Sequence, residues 1–308
     1  MTAAEPDGAP ATRVQVGLGL LAVYLIWGST YLGIRFGLQG FPPFLMAGLR
    51  FVCAGSAVYL WLRLRGQPAP TARQWRNAAL MGVLLLGMGN GLVSVAQQWV
   101  ASGLAAIAVA SMPLWAALFG LAFGRRYRGM EWLGLLVGFA GVLLLNAGEA
   151  LQARPLAALA LVVAAASWAF GSVWSRGRDL PPPFMSTAAQ MLTGGIAMLA
   201  FGLATGERIE GTPPATAIAA LAYLAVFGSI IGFGAYIWLL NNVRPALATS
   251  YAYVNPPIAV LLGALLAGEQ VGWQTVLAMA VILSGVVLIS RGAAPPPGTV
   301  RPVTRTPA

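Results

Sequence analysis

Read for its apolar and polar positions, the chain is a series of apolar runs about 18 to 25 residues long, cut by short polar segments. Runs of that length match the roughly 20 residues a helix needs to cross a bilayer. A membrane barrel would instead show alternation over about ten residues. Cutting at the polar punctuation predicts ten spans, at 16–37, 44–62, 77–98, 102–124, 130–148, 155–175, 183–204, 214–240, 246–267 and 272–290. The 3/4 and 8/9 connections are very short, so each of those pairs is expected to form an antiparallel hairpin. The predicted fold class is an all-α polytopic membrane protein.

Composition sharpens this picture. Of 308 residues, 58% are hydrophobic and 8% are charged, against roughly 25% charged in a soluble domain. A water-facing surface cannot be assembled from so few charges, so the solvent is lipid, and lipid requires every backbone polar group to be satisfied internally. The 38 glycines suit close packing of membrane helices.

All eighteen basic residues are arginine. A pI near 10.8 would suggest nucleic acid in a soluble chain, but these arginines lie between apolar runs, so no nucleic-acid partner is expected. One side of the predicted topology collects fourteen: Arg13, Arg63, Arg65, Arg73, Arg76, Arg125, Arg126, Arg128, Arg176, Arg178, Arg244, Arg291, Arg301 and Arg305. The other side has Arg154 and Arg208 in its loops, while Arg35 and Arg50 lie within spans. The positive-inside rule therefore places both termini in the cytoplasm. Residues 1–15 and 291–308 are polar or rich in Pro and Ala and are expected to be disordered, with 149–154 a linker. The single cysteine, Cys53, excludes an intrachain disulfide and a cysteine metal cluster; neither cofactor nor metal is implied.

The two halves, 16–148 and 155–290, resemble one another at an offset near 143 residues. Gly28-Ser29 falls on Gly171-Ser172, and Ser102–Pro113 falls on Pro245–Pro256. PPFLMAG at Pro42 has a counterpart at Pro182, and GVLLL at Gly141 has one in GVVLI at Gly285. A unit of five helices is odd in number, so its second copy enters the membrane inverted. Inverted repeats around a central cavity are the recurring plan of secondary transporters.

The segments IWGSTY (26–31), SWAFGS (167–172) and PALATSYAYVNP (245–256) resemble the drug/metabolite transporter superfamily with two EamA-type halves, and within it the YedA-type bacterial inner-membrane exporters. That resemblance implies ten helices, cytoplasmic termini, a cavity between the halves, and export of amino acids, metabolites or toxic organics.

Candidate solute-contacting residues follow from polarity at depth. Pro113 and Pro256 match across the repeat, and each is expected to free the carbonyl four residues earlier, at Val109 and Ala252. Thr249, Tyr253 and Pro256 share a stripe of the ninth span, flanked by Ser250, Tyr251 and Asn255. Such groups either join helices or face a solute pathway. Trp27, Trp168 and Trp115 offer flat apolar faces, with Ser29, Thr30 and Ser172 beside the first two. Asn90 is the deepest amide of the third span. Arg50 either snorkels to the interface or faces the cavity and receives a carboxylate; Arg35, at a helix end, is expected to snorkel.

The function expected from these features is secondary export of a small solute by alternating access, from a monomer or weak dimer in the inner membrane. No acid lies mid-span, which favours gradient-driven export over a proton-coupled antiporter. An intramembrane enzyme is disfavoured by the lack of histidine and of paired mid-span acids, and a structural subunit by the matched prolines.

Overall fold

The computed structural model describes residues 12–124, 126–127, 129–147, 154–243 and 245–292. Residues 1–11 and 293–308 of the expected disordered stretches, residue 148 of the fifth span, linker residues 149–153 and the five arginines at 125, 128, 244, 301 and 305 lie outside the described residues, whereas residues 291 and 292 continue the last helix.

The described residues form ten membrane-spanning units and contain no strand. They are α1 (Arg13–Gly37), α2 (Pro43–Leu64), α3 (Ala72–Ala96), α4 (Ser102–Ala122), α5 (Gly129–Asn146), α6 (Pro155–Trp174), α7 (Pro183–Ala204) and α8 (Ala215–Asn242). The last two are α9, which is Pro245–Ala248 followed by Tyr251–Ala267, and α10 (Trp273–Gly292). Eight are long and apolar enough to cross a bilayer on their own. The main part of α9 has 17 residues, about 26 Å at 1.5 Å each, and the short turn before it supplies the remaining height.

Two starts fall earlier than the apolar runs indicate, because capping rather than hydropathy sets them. Thr12 and Gln15 form a capping box at the head of α1, and Thr71 and Gln74 form another at the head of α3. Residues 13–15 and 72–76 are therefore helical although polar.

Four of the spans are irregular. The middle of α3 (Gly82–Gly91) and of α8 (Leu224–Ile231) is π-helical. In both, a polar side chain near the end of the segment reaches the carbonyl five residues back: Asn90 Nδ2 to Leu85 O at 3.5 Å, and Ser229 Oγ to Leu224 O at 3.1 Å. The chain of α4 breaks at Ala110–Ser111, just before Pro113, which then sits in the first turn of a new helix, where proline costs nothing. The break in α9 falls at Thr249–Ser250, and Pro256 and Pro257 lie inside the helix that follows. The matched prolines thus do not mark matched breaks.

Helix packing follows the repeat. Equivalent helices pair with each other, α2 with α7 and α5 with α10, through glycines whose missing Cβ admits a backbone. A Cβ on Gly55 would lie 2.8 Å from Leu192 N, and one on Gly285 would strike the backbone of Gly138. The other contacts cross over: α1 lies on α8, and its equivalent α6 lies on α3. Two inverted five-helix halves are therefore interleaved rather than placed side by side.

Candidate solute cavity

A cavity lies where the irregular segments meet, with about 90 Å³ open to a sphere the size of water, more than one water molecule requires. Helix α1 contributes Trp27, Thr30, Tyr31 and Ile34 to its wall, α2 contributes Arg50, and α3 contributes Asn90 and Val93. From α4 come Ala106, Val109, Ala110, Met112 and Pro113, and from α6 Trp168. Phe233 of α8 and Tyr251, Ala252, Asn255 and Pro256 of α9 complete it. Both residues four positions before a matched proline, Val109 and Ala252, are in the wall.

The two tryptophans are held in related ways. Trp27 of α1 donates Nε1–H to Gly228 O of the α8 π segment at 3.1 Å and packs against Gly232. Trp168 of α6 packs against Gly89 of the α3 π segment, 3.0 Å from where a Cβ would sit. Gly89 and Gly232 are themselves 143 positions apart. Each π segment therefore seats one cavity tryptophan, in keeping with the association of such distortions with functional sites. Trp27 also meets Phe233 and Tyr251 edge-on, with ring centroids 5.1 and 4.8 Å away.

Arg50 does not snorkel. Its side chain is 5% exposed, Nε donates to Ser229 Oγ at 2.9 Å, and the guanidinium carbon stands 4.6 Å from the centre of the Phe51 ring. Gly228 leaves room for it, since a Cβ there would lie 2.9 Å from Arg50 Nη2. Among the described residues of the wall there is no Asp or Glu. Asn255 is also buried, and its Oδ1 has no hydrogen-bond donor among the described residues.

Eight of the thirteen candidates read from the sequence come together here: Trp27, Thr30, Arg50, Asn90, Pro113, Trp168, Asn255 and Pro256. The other five lie elsewhere. Ser29 Oγ bonds Tyr223 Oη at 2.6 Å, towards α8. Ser172 bonds the carbonyl of Trp168 on its own helix at 2.8 Å. Trp115 packs edge-on against Phe139 of α5, with 5.0 Å between ring centres. Thr249 sits in the α9 break. Tyr253 points its hydroxyl at Val286 O of α10, 3.4 Å away. The stripe that faces the cavity is 251/252/255/256, because the turn at Thr249–Ser250 resets the helix before Tyr251.

Tyr31, Phe233 and the small residues of α4 were not singled out from the sequence, and Tyr251 was named there only as a flank of the ninth-span stripe. The IWGSTY segment did contain Tyr31, but tyrosine is common enough in spans to carry no signal alone. Arg35 is paired rather than snorkelling: its Nη1 meets Glu269 Oε1 at 2.8 Å. The same carboxylate accepts from Ser102 N at 2.8 Å and Gly103 N at 3.2 Å, capping α4.

Comparison with known proteins agrees with this architecture. The profile of the EamA-like transporter family matches residues 16–147 and again 155–291. The chain is 46% identical over 274 residues to the "Uncharacterized inner membrane transporter YedA" of Escherichia coli (strain K12), covering 89% of this chain and 90% of that protein. It is 25% identical to the "Uncharacterized transporter YoaV" of Bacillus subtilis (strain 168), over 89% of this chain and 96% of that one. A solved structure described as "Crystal structure of protein" superposes with a TM-score of 0.63 at 21% identity, covering 91% of this chain and 99% of that chain, and shows the shared fold. With both halves matched and a close relative spanning nearly its whole length, the ten-helix chain belongs to the EamA-like transporter family.

Proposed function

We propose that this protein is a secondary transporter that exports small metabolites across the bacterial inner membrane by alternating access, with its solute held in the cavity described above. The observation that carries this reading is the meeting of irregular spans from both halves at one cavity, whose two tryptophans, one from each half, are each held by a π segment of the other half. Inverted-repeat carriers bind solute where interrupted helices meet, because only there can unpaired backbone be tolerated at membrane depth. Both termini are cytoplasmic in this reading, on the fourteen-to-two arginine asymmetry of the loops.

Export is driven by gradients acting on the solute itself, without a proton relay. No Asp or Glu is among the described wall residues, and Glu269 is engaged by Arg35 and the head of α4. The test is counterflow in proteoliposomes with a panel of amino acids, aromatic acids and aromatic amines. Labelled solute exchange is expected, to survive a protonophore, and to drop at least tenfold in Trp168→Ala at unchanged melting temperature. Arrest by the protonophore would establish proton coupling instead. Absence of exchange for every solute would sink the reading.

A further inference from the structure

We infer that the solute is an organic monoanion, a carboxylate on a flat apolar body bearing a hydroxyl, and that the membrane potential drives its export. This rests on the transporter reading above and specifies what the same cavity holds.

The charge of the site is the starting point. Arg50 brings one guanidinium to the wall, tied by Nε to Ser229, and the described wall residues include no carboxylate to answer it. A cation at membrane depth is costly unless paired, and a carboxylate is the partner a guanidinium fits best, through two parallel hydrogen bonds. Nη2 lies over Gly228, in the direction that a Cβ would block, so the seat of the guanidinium is built into the α8 π segment.

A second group asks for a ligand independently. Asn255 is 8% exposed and its Oδ1 meets no donor. A buried acceptor left alone is unfavourable, and a solute hydroxyl would satisfy it. The same wall holds the rings of Trp27, Tyr31 and Trp168, which suit a flat apolar body.

The same features select against other charge types. A cationic solute would face Arg50 with like charge and find no carboxylate. A zwitterion would have its carboxylate at Arg50, but its ammonium would remain close to the guanidinium with only a neutral amide to meet it. An anion gains the pair and leaves nothing uncompensated.

Net charge then determines the driving force. Each cycle that exports a monoanion moves one negative charge out of a compartment that is negative inside. At equilibrium this distributes the anion tenfold for every ~60 mV. The potential thereby supplies the drive that a titratable group supplies in a proton-coupled carrier, and the cavity needs no such group.

The experiment uses three probes that share a phenol ring: 4-hydroxyphenylacetate, tyrosine and tyramine, an anion, a zwitterion and a cation at neutral pH. In proteoliposomes with the full chain, counterflow of 4-hydroxyphenylacetate should exceed that of the other two at least tenfold. Net efflux should accelerate under an inside-negative potassium-diffusion potential set with valinomycin, and its end point should shift tenfold per ~60 mV. Arg50→Gln should abolish anion exchange and Arg50→Lys should restore part of it, with helicity and melting temperature measured for both. If Arg50→Gln does not fold, Gly228→Ala, whose methyl would press on the guanidinium and on Thr30 Cγ2, should raise the half-saturating concentration at least tenfold, and Thr30→Ala alone should not. Preference for tyrosine or tyramine, or an end point indifferent to potential, overturns the inference and leaves the transporter reading intact. So does failure of all three probes while another solute of the wider panel exchanges. Failure of every solute overturns both.

Discussion

Glu207 and Glu269 both belong to the second half and both cap a helix of the first. Glu207 accepts from Phe44 N and Leu45 N of α2 at 3.1 and 2.8 Å, as Glu269 does from the head of α4. A carboxylate there satisfies backbone N–H groups that no intrahelical carbonyl reaches and meets the positive end of the helix. Glu269→Gln should therefore lower stability by about 1–2 kcal/mol, read as a lower melting temperature in detergent, with the solute preference unchanged. Lost exchange at an unchanged melting temperature would instead give this acid a part in coupling. At Arg50 the expectation is reversed. Ser229→Ala removes the acceptor of Nε and should raise the half-saturating solute concentration about tenfold, roughly 1.4 kcal/mol, with a smaller effect on turnover. Arg50 was visible in the sequence as a charge inside an apolar run. Its partner was not, because Ser229 is 179 positions away and looks like any small polar residue of a span.

At the scale of elements, helix irregularity decides which side chains meet. Two segments of eight and ten residues wound at i→i+5 turn Gly228, Ser229, Gly89 and Asn90 to where the tryptophans and Arg50 arrive. Straightening an element should act on motion more than on affinity. Pro256→Ala restores a backbone donor within α9 and is expected to slow turnover several-fold with little change in half-saturation, measured by exchange at saturating solute. Packing between elements is less forgiving. A Cβ on Gly285 would meet the Gly138 backbone, which cannot rotate away, so Gly285→Leu should cost about 3 kcal/mol or more and reduce the folded yield. Gly17→Leu, at an exposed position on α1 with nothing within 4 Å, should leave the melting temperature unchanged. Equal effects of the two substitutions would refute the assignment of α5 and α10 as a backbone-to-backbone pair.

For the whole molecule, ten crossings return the chain to the side from which it started. A phosphatase fused after Arg291 should be inactive and a fluorescent protein fused there bright, if the arginine-rich side is cytoplasmic. The opposite pair of results would reverse the orientation and, with it, the proposed direction of transport. Interleaving of the halves bears on mechanism as well. Since α1 rests on α8 and α6 on α3, the proposed alternating access would slide each cavity tryptophan over a glycine in or next to a π segment. Gly89 and Gly232 are thus positions where a methyl group would obstruct the motion.

Hydropathy alone determined the number of helices, their order and their membrane setting, because a backbone in lipid has no alternative to the helix once a run of about 20 apolar residues is present. The repeat, read from short matches such as Ser102–Pro113 against Pro245–Pro256, supplied the inverted plan. These features are local or periodic, so a linear reading finds them. The direction each side chain takes is not local. Tyr253 and Tyr251 are two positions apart in one polar run, yet one reaches α10 and the other lines the cavity, because the turn at Thr249–Ser250 sets the phase of the helix. Arg50 looked equally able to reach water or the interior, and what fixed it inside was a serine on α8 and the absence of a Cβ at Gly228. Only the tertiary structure decides such matters, since they depend on helix phase and on neighbours brought together from the other half of the chain.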